Sequence, residues 1–65
     1  MIHVFINDKE GLTLIGTLPP SQKGIKPENA LLHLRYEKFV DYRSGEIYFM
    51  NKNGIKVLPE EVVIK

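Results

Sequence analysis

Ala30-Leu31-Leu32-His33-Leu34-Arg35-Tyr36-Glu37-Lys38-Phe39-Val40-Asp41-Tyr42 is the stretch on which the fold turns. It contains good helix formers, and Asn29 before it could cap a helix. At 100° per residue, however, its apolar side chains scatter around the wheel. At 180° per residue they sort. Ala30, Leu32, Leu34, Tyr36, Val40 and Tyr42 share one face, with Lys38 the exception. His33, Arg35, Glu37, Asp41 and Arg43 share the other, with Leu31 and Phe39 as exceptions. The two-residue period predicts a long strand, bulged near Lys38, over a competing short helix at 28–38.

Working outward, Ser44-Gly45 turns the chain into Glu46-Ile47-Tyr48-Phe49-Met50, setting Arg43 opposite Glu46 and Tyr42 opposite Ile47. At Asn51-Lys52-Asn53-Gly54 two registers compete. A two-residue loop would pair Phe49 with Leu58. A type I turn closed by a glycine bulge pairs Phe49 with Val57 and gathers Ile47, Phe49, Ile55 and Val57 on one face. A one-residue slip flips every side chain, so the second register is preferred. At the other end, Ile2-His3-Val4-Phe5-Ile6 and Leu12–Leu18 flank Asp8-Lys9-Glu10-Gly11, where Asp and Gly fit the same turn. That hairpin pairs Ile6 with Leu14 and puts Leu12, Leu14 and Leu18 on the core face. Leu58-Pro59-Glu60-Glu61 then interrupts before a last short strand, Val62-Val63-Ile64. Residues 19–29 hold three prolines and form a long loop, a kind of segment often functional in so small a domain.

These elements give an all-β domain spanning residues 1–65. Five or six short strands, built from hairpins and a meander, make a curled antiparallel sheet or a small barrel. A strand ending at Leu58, a proline-containing turn and the strand Val62–Ile64 resemble the end of an SH3-like barrel, where one helical turn carries the last strand to the opposite sheet. The resemblance covers residues 40–64 and is topological. The first half lacks the acidic and aromatic ligand groove of true SH3 domains, so no proline-peptide activity is carried over. Leu18-Pro19-Pro20 followed by Gly24-Ile25-Lys26-Pro27 is similar to part of the swapped-hairpin transition-state regulators and antitoxins. Three residues between Pro20 and Gly24 are too few for the helix of that family, and Glu28-Asn29 stands where it has Gly-Asp.

Composition narrows the function. The chain is 65 residues long, 43% hydrophobic and 26% charged, with a net charge of +1 and no cysteine. That excludes compositional disorder, a disulfide framework and thiolate metal sites. No apolar run approaches the ~18 residues of a membrane span. The first residues lack a signal peptide's pattern, so a cytoplasmic location is expected. A domain this small buries only about 60% of its unfolded surface, which makes self-association a fair prior.

Catalysis needs a nucleophile, a base or a metal in mutual reach. His3 and His33 have no metal-ligand spacing and read as histidines on a sheet surface. Ser21 and Ser44 lack a neighbouring base. Glu60 and Glu61 read as solvating a turn. The five glycines are dispersed at turns, so no phosphate-cradling loop exists. A barrel of this size is filled by its own side chains. The expectation is therefore a non-enzymatic module with no metal, cofactor or small-molecule substrate. Its partner is a protein or a second copy. Phe39, Tyr48, Met50 and Leu58 form the expected apolar contact set, with Lys23, Ile25 and Lys26 contributing from the long loop. The alternative is nucleic acid. There Arg35, Lys38, Arg43, Lys52 and Lys56 contact phosphates while Tyr48 stacks on a base.

Overall fold

The computed structural model describes residues 1–65. Two antiparallel three-stranded sheets and one short helix share the interior. The strands are β1 (Ile2–Asp8), β2 (Gly11–Leu18), β3 (Glu37–Val40), β4 (Ile47–Met50), β5 (Lys56–Val57) and β6 (Val62–Ile64). The helix α1 covers Pro27–His33, and 3-10 turns occupy Pro20–Gln22 and Pro59–Glu61. One sheet runs β2–β1–β6 and the other β3–β4–β5.

The deciding stretch is two elements, not one long strand. Pro27 takes the first helical position, where its missing N–H costs nothing, and Glu28 sits in the first turn beside the positive end of the helix dipole. Ala30 and Leu31 are adjacent and both fully buried. A strand with one buried face cannot bury neighbours in that way, whereas a helix can. The competing helix over 28–38 was also too long. Leu34 caps it, and the chain reverses in a Schellman motif. The Tyr36 N–H donates to the Leu31 carbonyl at 3.0 Å, and the Arg35 N–H to that of Leu32 at 3.1 Å. Tyr36 and Leu31 then meet in the same buried cluster.

This motif requires a left-handed residue after the cap, and Arg35 adopts it with φ 69°. Every other residue of the chain with positive φ is glycine. A left-handed L-residue costs about 1–2 kcal/mol. Arg35→Gly is expected to raise stability by up to about 1 kcal/mol, read as a rise in melting temperature of roughly 4–8 °C. An unchanged or lower melting temperature would show that the Arg35 side chain returns more than the backbone loses.

The second sheet follows the expected alternation with one shift. Val40 pairs with Ile47 and Phe39 with Tyr48, two residues away from the expected pairing of Tyr42 with Ile47. The wider turn has local causes. The Asp41 Oδ1 accepts from the N–H groups of Arg43 at 2.8 Å and Ser44 at 3.3 Å, and the Ser44 Oγ accepts from that of Glu46 at 3.1 Å. A shift of two preserves the faces, but it strands Tyr42 and Arg43 in the exposed turn. At the next hairpin Phe49 pairs with Val57, as the bulged-turn register requires. Ile55 lies in that turn and is half-exposed, not on the core face.

The first hairpin departs more. Ile2, His3 and Val4 pair with Leu18, Thr17 and Gly16, but Phe5 pairs with Leu14. Ile15 is the extra residue of a β-bulge. The bulge corrects two expectations. Ile6 faces Thr13 and not Leu14. Leu12 and Leu14 stand on the outer face, 47% and 53% exposed, while Ile15 turns inward between the two buried clusters.

A single 3-10 turn carries the chain from β5 across to the first sheet, where β6 pairs with β1. Glu61 builds that turn, since its Oε1 accepts from the Leu58 N–H at 2.9 Å. The two sheets nevertheless do not close into a barrel. The core lies between them in two parts. Ile6, Leu31, Tyr36, Phe49 and Val57 form one, and Val4, Leu18 and Ala30 the other. Ile15, Leu34 and Val62 pack against both. Residues 19–29 are only partly loop, because a 3-10 turn and the start of α1 lie within them. No helix is long and apolar enough to cross a membrane.

Candidate interaction surface

Register decides which side chains meet on the outer face of β3–β4–β5. Phe39 stands opposite Tyr48, Glu37 opposite Met50, and Met50 opposite Lys56. These five residues share the face turned away from Phe49 and Val57. The Phe39 and Tyr48 rings stack with centroids 5.6 Å apart and an interplanar angle of 17°. From the opposite flank the Lys56 Nζ lies 4.8 Å from the Tyr48 ring centroid. Glu46 holds the same ammonium at 3.9 Å. The result is an apolar strip, Phe39–Tyr48–Met50, with charge at its rim. Three of the four residues of the expected contact set are therefore together. Leu58 is not on the strip. It is half-buried and caps the 3-10 turn.

The loop residues of that set form a separate place. Lys23, Ile25 and Lys26 line a shallow groove of about 440 Å³ with Ser21, Gln22 and Asn29. Ile25 packs against the smaller buried cluster, so it anchors the loop and is not free to reach a partner.

The basic residues of the nucleic-acid alternative do not converge. Arg35 and Lys52 line one groove of about 350 Å³, floored by Ile15, Leu34 and Tyr36. Lys38 projects from the other face of β3 and lies 3.9 Å from Glu28. Lys56 is held by Glu46, and Arg43 sits in the exposed β3–β4 turn. Tyr48 is covered by Phe39 on one flank and Lys56 on the other, so a base could stack on it only by displacing one of them. Both ion pairs are about half exposed and contribute little to stability.

His33 lies in α1 and not on the polar face of a strand. His3 stacks beside Phe5 on the outer face of the first sheet, with ring centroids 6.3 Å apart. No cluster of three or more His, Asp or Glu side chains is arranged to hold a metal.

Sequence reasoning missed a second apolar row. Leu14, Phe5 and Val63 lie side by side across β2, β1 and β6, and Leu12 continues the row along β2. The signal that could have found it is Ile15-Gly16, where an extra apolar residue beside a glycine breaks the alternation. No family model, no curated protein and no solved structure matches this chain.

Proposed function

We propose that this chain is a non-enzymatic interaction module that binds a protein through the outer face of β3–β4–β5. One observation carries the reading: Phe39 and Tyr48 are stacked on the side of the sheet that the interior does not use. Phe39 is 40% exposed, and Met50 extends the strip. Aromatic residues and Met are enriched at interfaces, and here a charged rim of Glu37, Glu46 and Lys56 surrounds them. The stacked pair is pre-arranged, so a partner need not freeze two rotamers on binding.

Site-specific photo-crosslinking in the chain's native host tests this. A photoreactive phenylalanine at Phe39 keeps an aromatic ring there. It is expected to yield a discrete protein adduct that persists at high salt and is lost when Tyr48→Ala is added. The same group at Lys9, at the tip of the first hairpin, is the comparison. Identical adducts at the two positions, or none at Phe39, would refute the reading. Nucleic acid in the Phe39 adduct, with binding that weakens steeply as salt rises, would favour phosphate recognition instead.

A further inference from the structure

We infer that β2 is a self-pairing edge that joins two copies of this chain into one continuous six-stranded antiparallel sheet. The inference does not rest on the Phe39–Tyr48 strip, which belongs to the other sheet.

Three observations carry it. First, β2 pairs only with β1, and no backbone hydrogen bond outside the ladders involves Gly11–Leu18. The outward N–H and C=O groups of β2 therefore have no partner within the chain. Second, β2 is the longest strand and carries no charge along Gly-Leu-Thr-Leu-Ile-Gly-Thr-Leu. Exposed edges are ordinarily blunted by shortness, charge or proline. The other edges conform. β5 has two residues, β6 has three, and β3 has four, including Glu37 and Lys38. Third, Leu12 and Leu14 stand exposed beside this edge, on the face shared with Phe5.

The bulge at Ile15 interrupts the edge and confines pairing to Leu12–Leu14. Within that segment, a twofold axis through Thr13 places Leu12 of one copy opposite Leu14 of the other, twice. Opposed residues in an antiparallel pair share a face, so the four leucines form one outer stripe. Like surfaces meet across such an axis, and a segment without charge meets its copy without repulsion. A second copy also supplies the apolar burial that a 65-residue chain lacks by itself.

The chain has no cysteine, so one introduced thiol reports the geometry. Thr13→Cys places two thiols on the twofold axis, within disulfide reach of one another. It is expected to form an intermolecular disulfide on mild oxidation. Thr17→Cys, also exposed but beyond the bulge, is expected to remain largely monomeric. Light scattering of the unmodified chain at rising concentration is expected to approach twice 7.5 kDa. Leu14→Lys should return the mass to that of one chain while its amide spectrum stays folded. Exposed Leu32 in α1 gives the control, since Leu32→Lys should leave the mass doubled. A chain that stays monomeric at every concentration would overturn the inference. So would equal crosslinking at the two thiol positions, or a dimer that survives Leu14→Lys and dissociates with Phe39→Ala.

Discussion

Phe49→Ala is expected to leave most of the chain unfolded at 25 °C. Phe49 is fully buried on the middle strand of its sheet and packs in one cluster with Ile6, Leu31, Tyr36 and Val57. Those four come from β1, α1, the segment just after α1, and β5. One ring therefore joins both sheets and the helix. Truncating a buried Phe to Ala costs about 3–5 kcal/mol. A core of this size, without a disulfide or a metal, rarely supplies more than about 3–5 kcal/mol in total. The loss matches the whole. Circular dichroism and amide dispersion at 25 °C read the outcome, with Phe39→Ala for contrast. Phe39 lies on the same sheet, but its ring is exposed, and losing the stack with Tyr48 costs about 0.5–1.5 kcal/mol. A Phe49→Ala chain that stays folded with a loss below about 1 kcal/mol would mean that the sheets do not share this cluster.

Gly16→Ala is expected to destabilise by about 1–3 kcal/mol, although the added group is one methyl. An ideal Cβ at Gly16 would lie 2.5 Å from the Cδ2 and 3.0 Å from the Cδ1 of Leu34. The far end of a leucine can usually move aside. Leu34 packs against both buried clusters, so its rotation displaces neighbours in each. The cause is steric and lies in a single side chain, which makes a double-mutant cycle decisive. With Leu34→Val in place, which removes both Cδ atoms at a smaller cost than Leu34→Ala, the added methyl should cost little, giving a coupling of about 1 kcal/mol or more. Strictly additive losses in urea unfolding would show that the glycine is required for some other reason.

The places where the chain turns back were legible in the sequence because turn chemistry is local, but of the three expected registers only that of the β4–β5 hairpin held. Asn51 illustrates this: its Oδ1 accepts from the N–H groups of Asn53 at 2.9 Å and Ile55 at 3.0 Å, which fixes the turn and with it the pairing of Phe49 with Val57. The interruption at Pro59 was legible for the same reason, whereas the crossing to the first sheet was expected only from the resemblance to the end of an SH3-like barrel. The helix was not. Ala30, Leu32 and Leu34 alternate by coincidence of composition, and only contact with β1 and β6 reveals that Ala30 and Leu31 must both be buried. That the expected barrel does not close was not legible either, since closure depends on how far the edges of the two sheets approach, a tertiary quantity. The candidate surface fared better where faces survived a shift of two, which kept Phe39, Tyr48 and Met50 together. It fared worse at β2, where a bulge of one residue exchanged Leu14 for Ile15 on the inner side.

The pairing of β6 with β1 also sets a timetable. Val4, Phe5 and Ile6 acquire their second neighbour only when Val62, Val63 and Ile64 exist. A ribosome adds about 5–20 residues per second, so the first strand waits several seconds with one flank open. The β1–β2 hairpin can form during that interval, and α1 after it, but the first sheet cannot be completed. The nascent chain carries an apolar, half-paired ladder until Val62, Val63 and Ile64 have been made. Crowded polysomes should therefore be where this small domain is most exposed to mispairing, and a chaperone that shields the open side of β1 would have its effect before the last strand leaves the exit tunnel.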